Sequence, residues 1–127
     1  MTDLNALFDE YERALLLSPA IAGFTIIKRR VLEREGFIRV RAELSSGGFL
    51  EFSEYWQEPT EDEIVRYEYT YHWQDAGGLL IQRWDNARHH PDLPHAPHHT
   101  HLAGGITEGQ AEPPTLQLLL EAIENAV

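Results

Sequence analysis

The stretch "FTIIKRRVLEREGFIRVRAEL", residues 24–44, alternates apolar and charged side chains along most of its length. Alternation with a period of two is typical of a β-strand that buries one face. The Glu35-Gly36 pair interrupts this pattern and predicts a two-residue turn between two antiparallel strands. A turn at these residues would place Arg30 opposite Arg41 and the apolar side chains of the two strands on the other face. The sequence therefore predicts a hairpin with one apolar face and one basic face.

The two faces of this hairpin differ in their chemistry. The predicted register is Arg34 with Phe37, Leu32 with Arg39, Arg30 with Arg41 and Lys28 with Glu43. The apolar face would then consist of Ile27, Val31, Ile38, Val40, Ala42 and Leu44. Like charges directly opposite one another are destabilising, so an anion, an acidic side chain or water should separate the cations of the other face. A phosphate backbone, the protein's own acids and an acidic partner all fit, and the candidate RNA- or phosphate-binding residues are Lys28, Arg30, Arg39 and Arg41.

The hydrophobic period changes from helical to extended and back along the chain. Residues 3–17 place apolar side chains on one helical face, and residues 116–127 do the same after Pro113-Pro114. The predicted strands after the hairpin are residues 49–56, 64–73 and 79–84. The predicted fold is therefore α+β, a five-stranded, curved antiparallel meander sheet with N-terminal and C-terminal helices, in a single domain of residues 1–127.

The fourth predicted strand, residues 64–73, carries a row of tyrosines. Tyr67, Tyr69 and Tyr71 fall on one face of the strand, which predicts that they line the core. His72 falls on the opposite, polar face, where it would meet the fifth strand if the two strands pair.

Composition limits the classes of function. The chain has 127 residues, no cysteine and a net charge of −11. It lacks an apolar run long enough to span a membrane, and its start lacks the pattern of a secretory signal, so we expect a cytoplasmic protein with no membrane partner. Taken as a whole, this acidity should repel nucleic acid. Residues 24–41 are the exception, since six basic and two acidic side chains give them a charge of about +4.

A second segment, "RWDNARHHPDLPHAPHHTH", residues 83–101, holds six of the seven histidines. Its prolines exclude a helix, so the sequence predicts a long loop after the fifth strand. Proline fixes φ and restricts the residue before it, which lowers the entropy lost when the loop is ordered. We therefore expect Pro91 and Pro97 to help hold the histidines around one pocket at the end of the fifth strand, with Arg83 and Asp85 at its rim.

The same segment carries a motif. It consists of Arg83-Trp84-Asp85-Asn86, His89-His90-Pro91 and Pro97-His98-His99-x-His101. This motif resembles the pattern of the TumE-type family, proposed toxin components of prokaryotic toxin–antitoxin modules. The resemblance covers the chain from about Leu50 onward, while the first helix and the hairpin match in general character. It implies a toxin whose partner is a cognate antitoxin protein. The net charge adds that the interacting segment is basic, or that an acidic one docks on residues 28–41.

Histidines in this number can cleave RNA without a metal. A neutral imidazole abstracts the proton of the 2′-hydroxyl, and a protonated imidazole donates a proton to the leaving 5′-oxygen. Arg83 would stabilise the charge that builds on the phosphate, and Asp85 would fix the tautomer of one imidazole. The predicted catalytic residues of this cofactor-free ribonuclease are Arg83, Asp85, His89, His90, His98, His99 and His101.

Two other interpretations stay open. The imidazoles offer several ligand spacings for zinc, and the alternative metal ligands are His89, His90, His98 and His101. The protein would then be a non-catalytic module that binds metal or a protein partner, including a second copy of the chain in a homodimer. Alternatively, the histidines hydrogen-bond backbone carbonyls in an ordered loop and have a structural role.

Overall fold

The computed structural model describes residues 3–86, 99–102, 107–109 and 113–126. Within these ranges the elements are α1 (Leu4–Leu17), β1 (Ile21–Val31), β2 (Glu35–Leu44), β3 (Phe49–Thr60), β4 (Glu63–Gln74), β5 (Leu80–Asp85), β6 (His99–Leu102), β7 (Thr107–Gly109) and α2 (Leu116–Asn125). Each strand pairs antiparallel with the next, so the order in the sheet follows the chain. The predicted α+β meander with terminal helices is confirmed, and the short strands β6 and β7 extend the five predicted strands.

Both helices pack on the same face of the sheet. Asp3 caps α1 by accepting a hydrogen bond from the Ala6 N–H at 2.7 Å, and Thr115 caps α2 through the Leu118 N–H at 3.2 Å. The core joins residues of the helices and the sheet, among them Phe8, Leu15, Ile38, Val40, Ala42, Leu50, Phe52, Tyr71, Trp84, Leu119 and Ile123. Neither helix of the described chain is long and apolar enough to cross a membrane.

The β1–β2 hairpin has a different register from the predicted one. The prediction of a turn at Glu35-Gly36 is wrong, because β1 ends at Val31 and β2 already begins at Glu35. The Leu32 N–H donates to the Glu35 carbonyl at 2.8 Å and closes the turn at residues 32–34. The observed pairs include Lys28 with Arg39, Arg30 with Phe37 and Thr25 with Arg41. The predicted Arg30–Arg41 pair therefore does not form.

Gly36 lies under the first helix instead of in the turn. A Cβ atom at this position would lie 3.0 Å from Leu4 Cδ1 and 3.2 Å from Phe8 Cε2, both in α1. The helix can approach β2 this closely because residue 36 has no side chain. The glycine that the sequence suggests as a turn residue is thus a helix–sheet contact.

A bulge in β1 changes which side chains face the helices. The register shifts just before Lys28, which leaves Ile27 49% exposed, so its predicted place on the core face is wrong. Arg29 reaches α1 on the core side, where it forms ion pairs with Asp9 at 2.8 Å and with Glu12. One cation of the basic segment therefore stabilises the helix–sheet packing.

A second irregularity lies in β4, where a register shift inserts Tyr67 as an extra residue opposite β3. Tyr67 is 56% exposed, and its ring meets the Tyr55 ring edge-on with centroids 6.1 Å apart. The prediction that Tyr67 lines the core is therefore wrong. The other two tyrosines of the row, Tyr69 and Tyr71, are buried as predicted.

Candidate active site on the polar face of the sheet

The sheet face opposite the helices is polar, and the strand register aligns its side chains in rows. One row crosses five strands through Arg41, Glu51, His72, Arg83 and His101, which are consecutive cross-strand neighbours. Directly opposite residues of antiparallel strands have Cβ atoms about 4.5–5.5 Å apart. The row therefore places Arg83 between two histidines, His72 and His101.

The neighbouring row consists of Arg39, Ser53, Thr70 and Asp85. Residues of the two rows line a cavity of about 360 Å³, which we call the polar-face cavity. Its described walls are Arg39, Arg41, Phe49, Glu51, Phe52, Ser53, Thr70, His72 and Arg83. Three arginines and one histidine outnumber the single carboxylate among these walls, so the cavity has the charge and size to hold a phosphodiester.

Each arginine of the polar-face cavity already contacts a carboxylate. The pairs are Arg39 with Glu51 at 2.9 Å, Arg41 with Glu43 at 3.1 Å and Arg83 with Asp85 at 3.5 Å. The interpretation that the basic face meets the protein's own acids therefore holds for Arg39 and Arg41. The Arg39 and Arg41 side chains are 50% and 44% exposed, and exposed ion pairs contribute about 0.2–1 kcal/mol, whereas Asp85 in the third pair is buried. An incoming anion can therefore displace Glu51 and Glu43 from Arg39 and Arg41.

Asp85 joins Arg83 to His101. Its Oδ2 lies 3.5 Å from Arg83 Nε and 3.5 Å from His101 Nε2, and the residue is 5% exposed. A buried carboxylate beside an imidazole can orient the ring and stabilise its protonated form. Three of the residues predicted to be catalytic, Arg83, Asp85 and His101, thus lie together.

Each residue of the Arg83–Asn86 run has a distinct place. Arg83 and Asp85 face the polar side, while Trp84 between them is buried in the core. The Asn86 side chain bonds to the backbone of β4, where Oδ1 accepts from the Tyr69 N–H and Nδ2 donates to the Tyr67 carbonyl, both at 3.0 Å. Asn86 therefore continues the ladder past the end of β5 and holds the bulged part of β4.

His72 is a site residue that sequence reasoning did not select. Its ring stacks on Phe49 with centroids 5.6 Å apart, and its Nε2 lies 3.1 Å from Gln74 Oε1. When Nε2 donates its proton to Gln74, Nδ1 is the acceptor of the neutral ring. The signal was its polar-face position on β4, which the pairing of β4 with β5 turns into a place opposite Arg83.

The other two predicted phosphate-binding residues, Lys28 and Arg30, lie on the polar face but outside the polar-face cavity. They line a second cavity of about 230 Å³ together with Phe37 and Tyr55. The four cations that the sequence grouped together are thus divided between two neighbouring cavities.

The histidines of the second segment are only partly described. His99 lies opposite Asp85 on β6, so His99 and His101 belong to a strand instead of the predicted loop. The predicted site residues His89, His90 and His98 lie outside the described residues.

The zinc alternative rests on the same segment. Of its four proposed ligands, His101 is the one that falls within the described residues. Across the described ranges, no group of three or more His, Cys, Asp or Glu side chains is arranged to hold a metal ion.

Comparison with known proteins identifies the family. A family model described as "Toxin TumE" matches residues 11–127, nearly the whole chain. No curated protein and no solved structure gives a significant match. The matched range contains the motif of residues 83–101 and also takes in the second half of α1 and the β1–β2 hairpin. The chain therefore belongs to the TumE toxin family.

Proposed function

We propose that this toxin is a metal-independent ribonuclease whose acid–base pair lies on the polar face of its sheet. The observation that carries the proposal is the cross-strand row in which Arg83 lies between His72 and His101. Two imidazoles on either side of a guanidinium group provide a base, an acid and a cation for one phosphate. Arg39 and Arg41 on the same cavity provide further charge for the RNA backbone.

His72 is the proposed general base. With its Nε2 proton donated to Gln74, its Nδ1 can accept the proton of a 2′-hydroxyl. The 2′-oxygen then attacks the phosphorus atom and forms a P–O2′ bond. Arg83 stabilises the negative charge that develops on the non-bridging oxygens, because a guanidinium group can donate two parallel hydrogen bonds to a phosphate.

His101 is the proposed general acid. Asp85 Oδ2, at 3.5 Å from Nε2, orients the ring and stabilises its imidazolium form. The imidazolium donates its proton to the 5′-oxygen as the P–O5′ bond breaks. The products are a 2′,3′-cyclic phosphate and a 5′-hydroxyl, and this balance of atoms requires no metal and no further reactant.

Purified protein incubated with single-stranded RNA tests the proposal. We expect cleavage that is insensitive to a chelator, has a bell-shaped pH profile near neutrality and yields 2′,3′-cyclic phosphate ends. His72→Ala and His101→Ala should each lower the rate by roughly 10²–10⁴-fold. Arg13→Ala is the matched control for loss of one positive charge, because Arg13 is exposed on α1, outside the polar-face cavity.

Two outcomes would contradict the proposal. Activity that a chelator abolishes and zinc restores would favour the metal-binding alternative. Absence of cleavage with folded protein would favour a non-catalytic module that binds a protein partner.

Membership of a toxin family implies an antitoxin partner. We propose that an acidic antitoxin segment docks on the polar face, where Glu51 and Glu43 already show that carboxylates fit Arg39 and Arg41. Co-expression with the neighbouring gene should give a complex that co-purifies. The complex should lose RNA binding, and Arg39→Ala combined with Arg41→Ala should weaken it. If the two arginine substitutions leave the affinity of the complex unchanged, the antitoxin binds elsewhere, for instance through a basic segment on an acidic surface.

A further inference from the structure

We propose that the second cavity, lined by Phe37 and Tyr55, binds a guanine base of single-stranded RNA beside the cleavage site. The inference rests on the proposed ribonuclease function and adds the base that the enzyme prefers. The cavity has a volume of about 230 Å³, suited to a single base, and its described walls are Lys28, Arg30, Leu32, Glu35, Gly36, Phe37 and Tyr55. We call it the base cavity.

Two walls of the base cavity are aromatic, Phe37 and Tyr55. Phe37 and Tyr55 are directly opposite each other on β2 and β3, and both are half-buried. The Lys28 ammonium lies over the Phe37 ring, 5.5 Å from its centroid, and its exposed side chain would move aside for a stacked base. The bulged Tyr67 packs edge-on against Tyr55 and supports its ring. Aromatic side chains on which bases stack, combined with cations along the backbone, are the usual means of binding single strands.

Glu35 gives the base cavity a preference. Its Oε2 accepts a hydrogen bond from the Tyr55 hydroxyl at 2.7 Å, which fixes the carboxylate at the cavity wall. A carboxylate has about four acceptor sites, so it can accept further donors. The Watson–Crick edge of guanine presents two adjacent donors, N1–H and the exocyclic amine, to such a carboxylate. The same negative charge disfavours a phosphate at this wall, so the cavity suits a base.

The base cavity lies next to the polar-face cavity. Lys28, which lines the base cavity, lies directly opposite Arg39, which lines the polar-face cavity. Phe37 and Arg41 are four residues apart on β2, or about 14 Å along the strand. Lys28 and Arg30 are exposed and supply positive charge for the phosphates between the base and the cleaved bond. A short single strand can therefore occupy both cavities.

Binding of 2′-deoxy oligonucleotides tests the inference separately from catalysis, because such strands lack the 2′-hydroxyl that attacks phosphorus. The probes are fluorescent single strands with one guanine or with hypoxanthine, which lacks the exocyclic amine, at the same position. We expect the replacement to raise the Kd of the wild-type protein about tenfold, equivalent to about 1.4 kcal/mol. Glu35→Gln should reduce this ratio to near one, because an amide offers one acceptor oxygen in place of two.

Glu35→Gln keeps an acceptor for the Tyr55 hydroxyl, so an unchanged melting temperature verifies that the variant is folded. Tyr55→Leu removes a stacking surface and also the hydroxyl that fixes Glu35, so it should weaken both probes about tenfold and bring the ratio of their Kd values closer to one. His101→Ala should keep the ratio of the two Kd values at the wild-type level, because this residue lies outside the base cavity, while RNA cleavage falls by roughly 10²–10⁴-fold.

Equal affinity of the wild-type protein for the two probes would overturn the inference, even if RNA is cleaved. A base preference that survives Glu35→Gln would overturn it too. Selective guanine binding without RNA cleavage would leave the base cavity standing and remove the ribonuclease proposal. Displacement of a bound antitoxin by Tyr55→Leu, with no effect on oligonucleotides, would assign the cavity to a protein partner and contradict the inference.

Discussion

The Tyr11 hydroxyl donates a hydrogen bond to the Glu54 carboxylate at 2.6 Å and so links α1 to β3. Glu54 is 1% exposed, and three further donors reach it: Trp56 Nε1 at 2.8 Å, Arg66 Nη1 at 2.9 Å and the Tyr71 hydroxyl. A buried charge is tolerated when it is paired and hydrogen-bonded, and these four donors meet both conditions. The bulge at Tyr67 contributes, because it brings Arg66 to the helix side of the sheet.

Replacement of Glu54 by alanine should destabilise the protein strongly. The change leaves the Arg66 charge, which is 13% exposed, without its carboxylate and leaves two tyrosine hydroxyls without their acceptor. We expect the free energy of unfolding to fall by about 3–5 kcal/mol in urea titrations. Glu43→Ala, which breaks the exposed pair with Arg41, is the control and should cost less than about 1 kcal/mol. Similar losses for the two variants would show that the Glu54 cluster is no stronger than a surface pair.

Stability should also fall at alkaline pH. Burial raises the pKa of Tyr69 from 10.0 to about 12, and burial together with the Glu54 charge raises the pKa of Tyr11 and of Tyr71 further. The folded protein therefore keeps these protons to higher pH than the unfolded chain, whose tyrosines titrate near 10. The contribution of these groups to stability is fully present below pH 10 and is lost as the pH rises through the folded-state values.

Ultraviolet absorbance of tyrosinate, recorded together with circular dichroism, measures this effect. The ionisation of Tyr11, Tyr69 and Tyr71 should coincide with loss of the folded signal above pH 10. Tyr71→Phe removes one titrating group and should reduce the slope of unfolding free energy against pH in this range. Ionisation of all the tyrosines near pH 10 in a fully folded protein would rule out the prediction.

The sheet and the helices could be predicted from the sequence, but the two bulges could not. Period and turn residues predicted the meander because each strand alternates strongly between apolar and polar side chains. A bulge inserts one residue and reverses the alternation, so Ile27 and Tyr67 came out exposed and Arg29 reached the helix side. The cause lies in contacts across the fold, such as the ion pairs of Arg29 with α1, that a local pattern does not contain.

The site was predictable only in part, because it depends on contacts between strands as well as on local pattern. Arg83 and Asp85 could be named because they belong to a recognisable run, and Arg39 and Arg41 because they share one face of a strand. Their meeting depends on the register of β2 to β5, which a shift by one residue would reverse. His72 was therefore seen as a strand residue and not as the neighbour of Arg83.

Gly36 and Gly23 provide a matched pair for the helix–sheet contact. A Cβ atom at Gly36 would crowd Leu4 Cδ1 and Phe8 Cε2 at 3.0 and 3.2 Å, whereas a Cβ atom at Gly23 meets nothing within 4 Å. We expect Gly36→Ala to lower the free energy of unfolding by about 1–3 kcal/mol through overpacking. Gly23→Ala should be neutral or stabilise by up to about 1 kcal/mol. Equal melting temperatures of the two variants would mean that α1 moves aside without cost.

Asp85→Asn tests the contact between Asp85 and His101 through the pH profile of RNA cleavage. Asparagine keeps the shape of the side chain but removes the negative charge 3.5 Å from His101 Nε2. His101, as the proposed acid, must be protonated to act, and a neighbouring negative charge favours that form. Loss of the charge should therefore lower kcat, leave KM nearly unchanged and move the alkaline limb of the profile to lower pH. Growth arrest by the toxin should weaken in parallel.

Glu43→Gln is the control, because it removes a charge that contacts Arg41 instead, and it should leave both limbs of the pH profile in place. If Asp85→Asn lowers the cleavage rate equally at every pH and does not shift the alkaline limb, Asp85 positions the end of the strand. The proton then comes from a group other than His101.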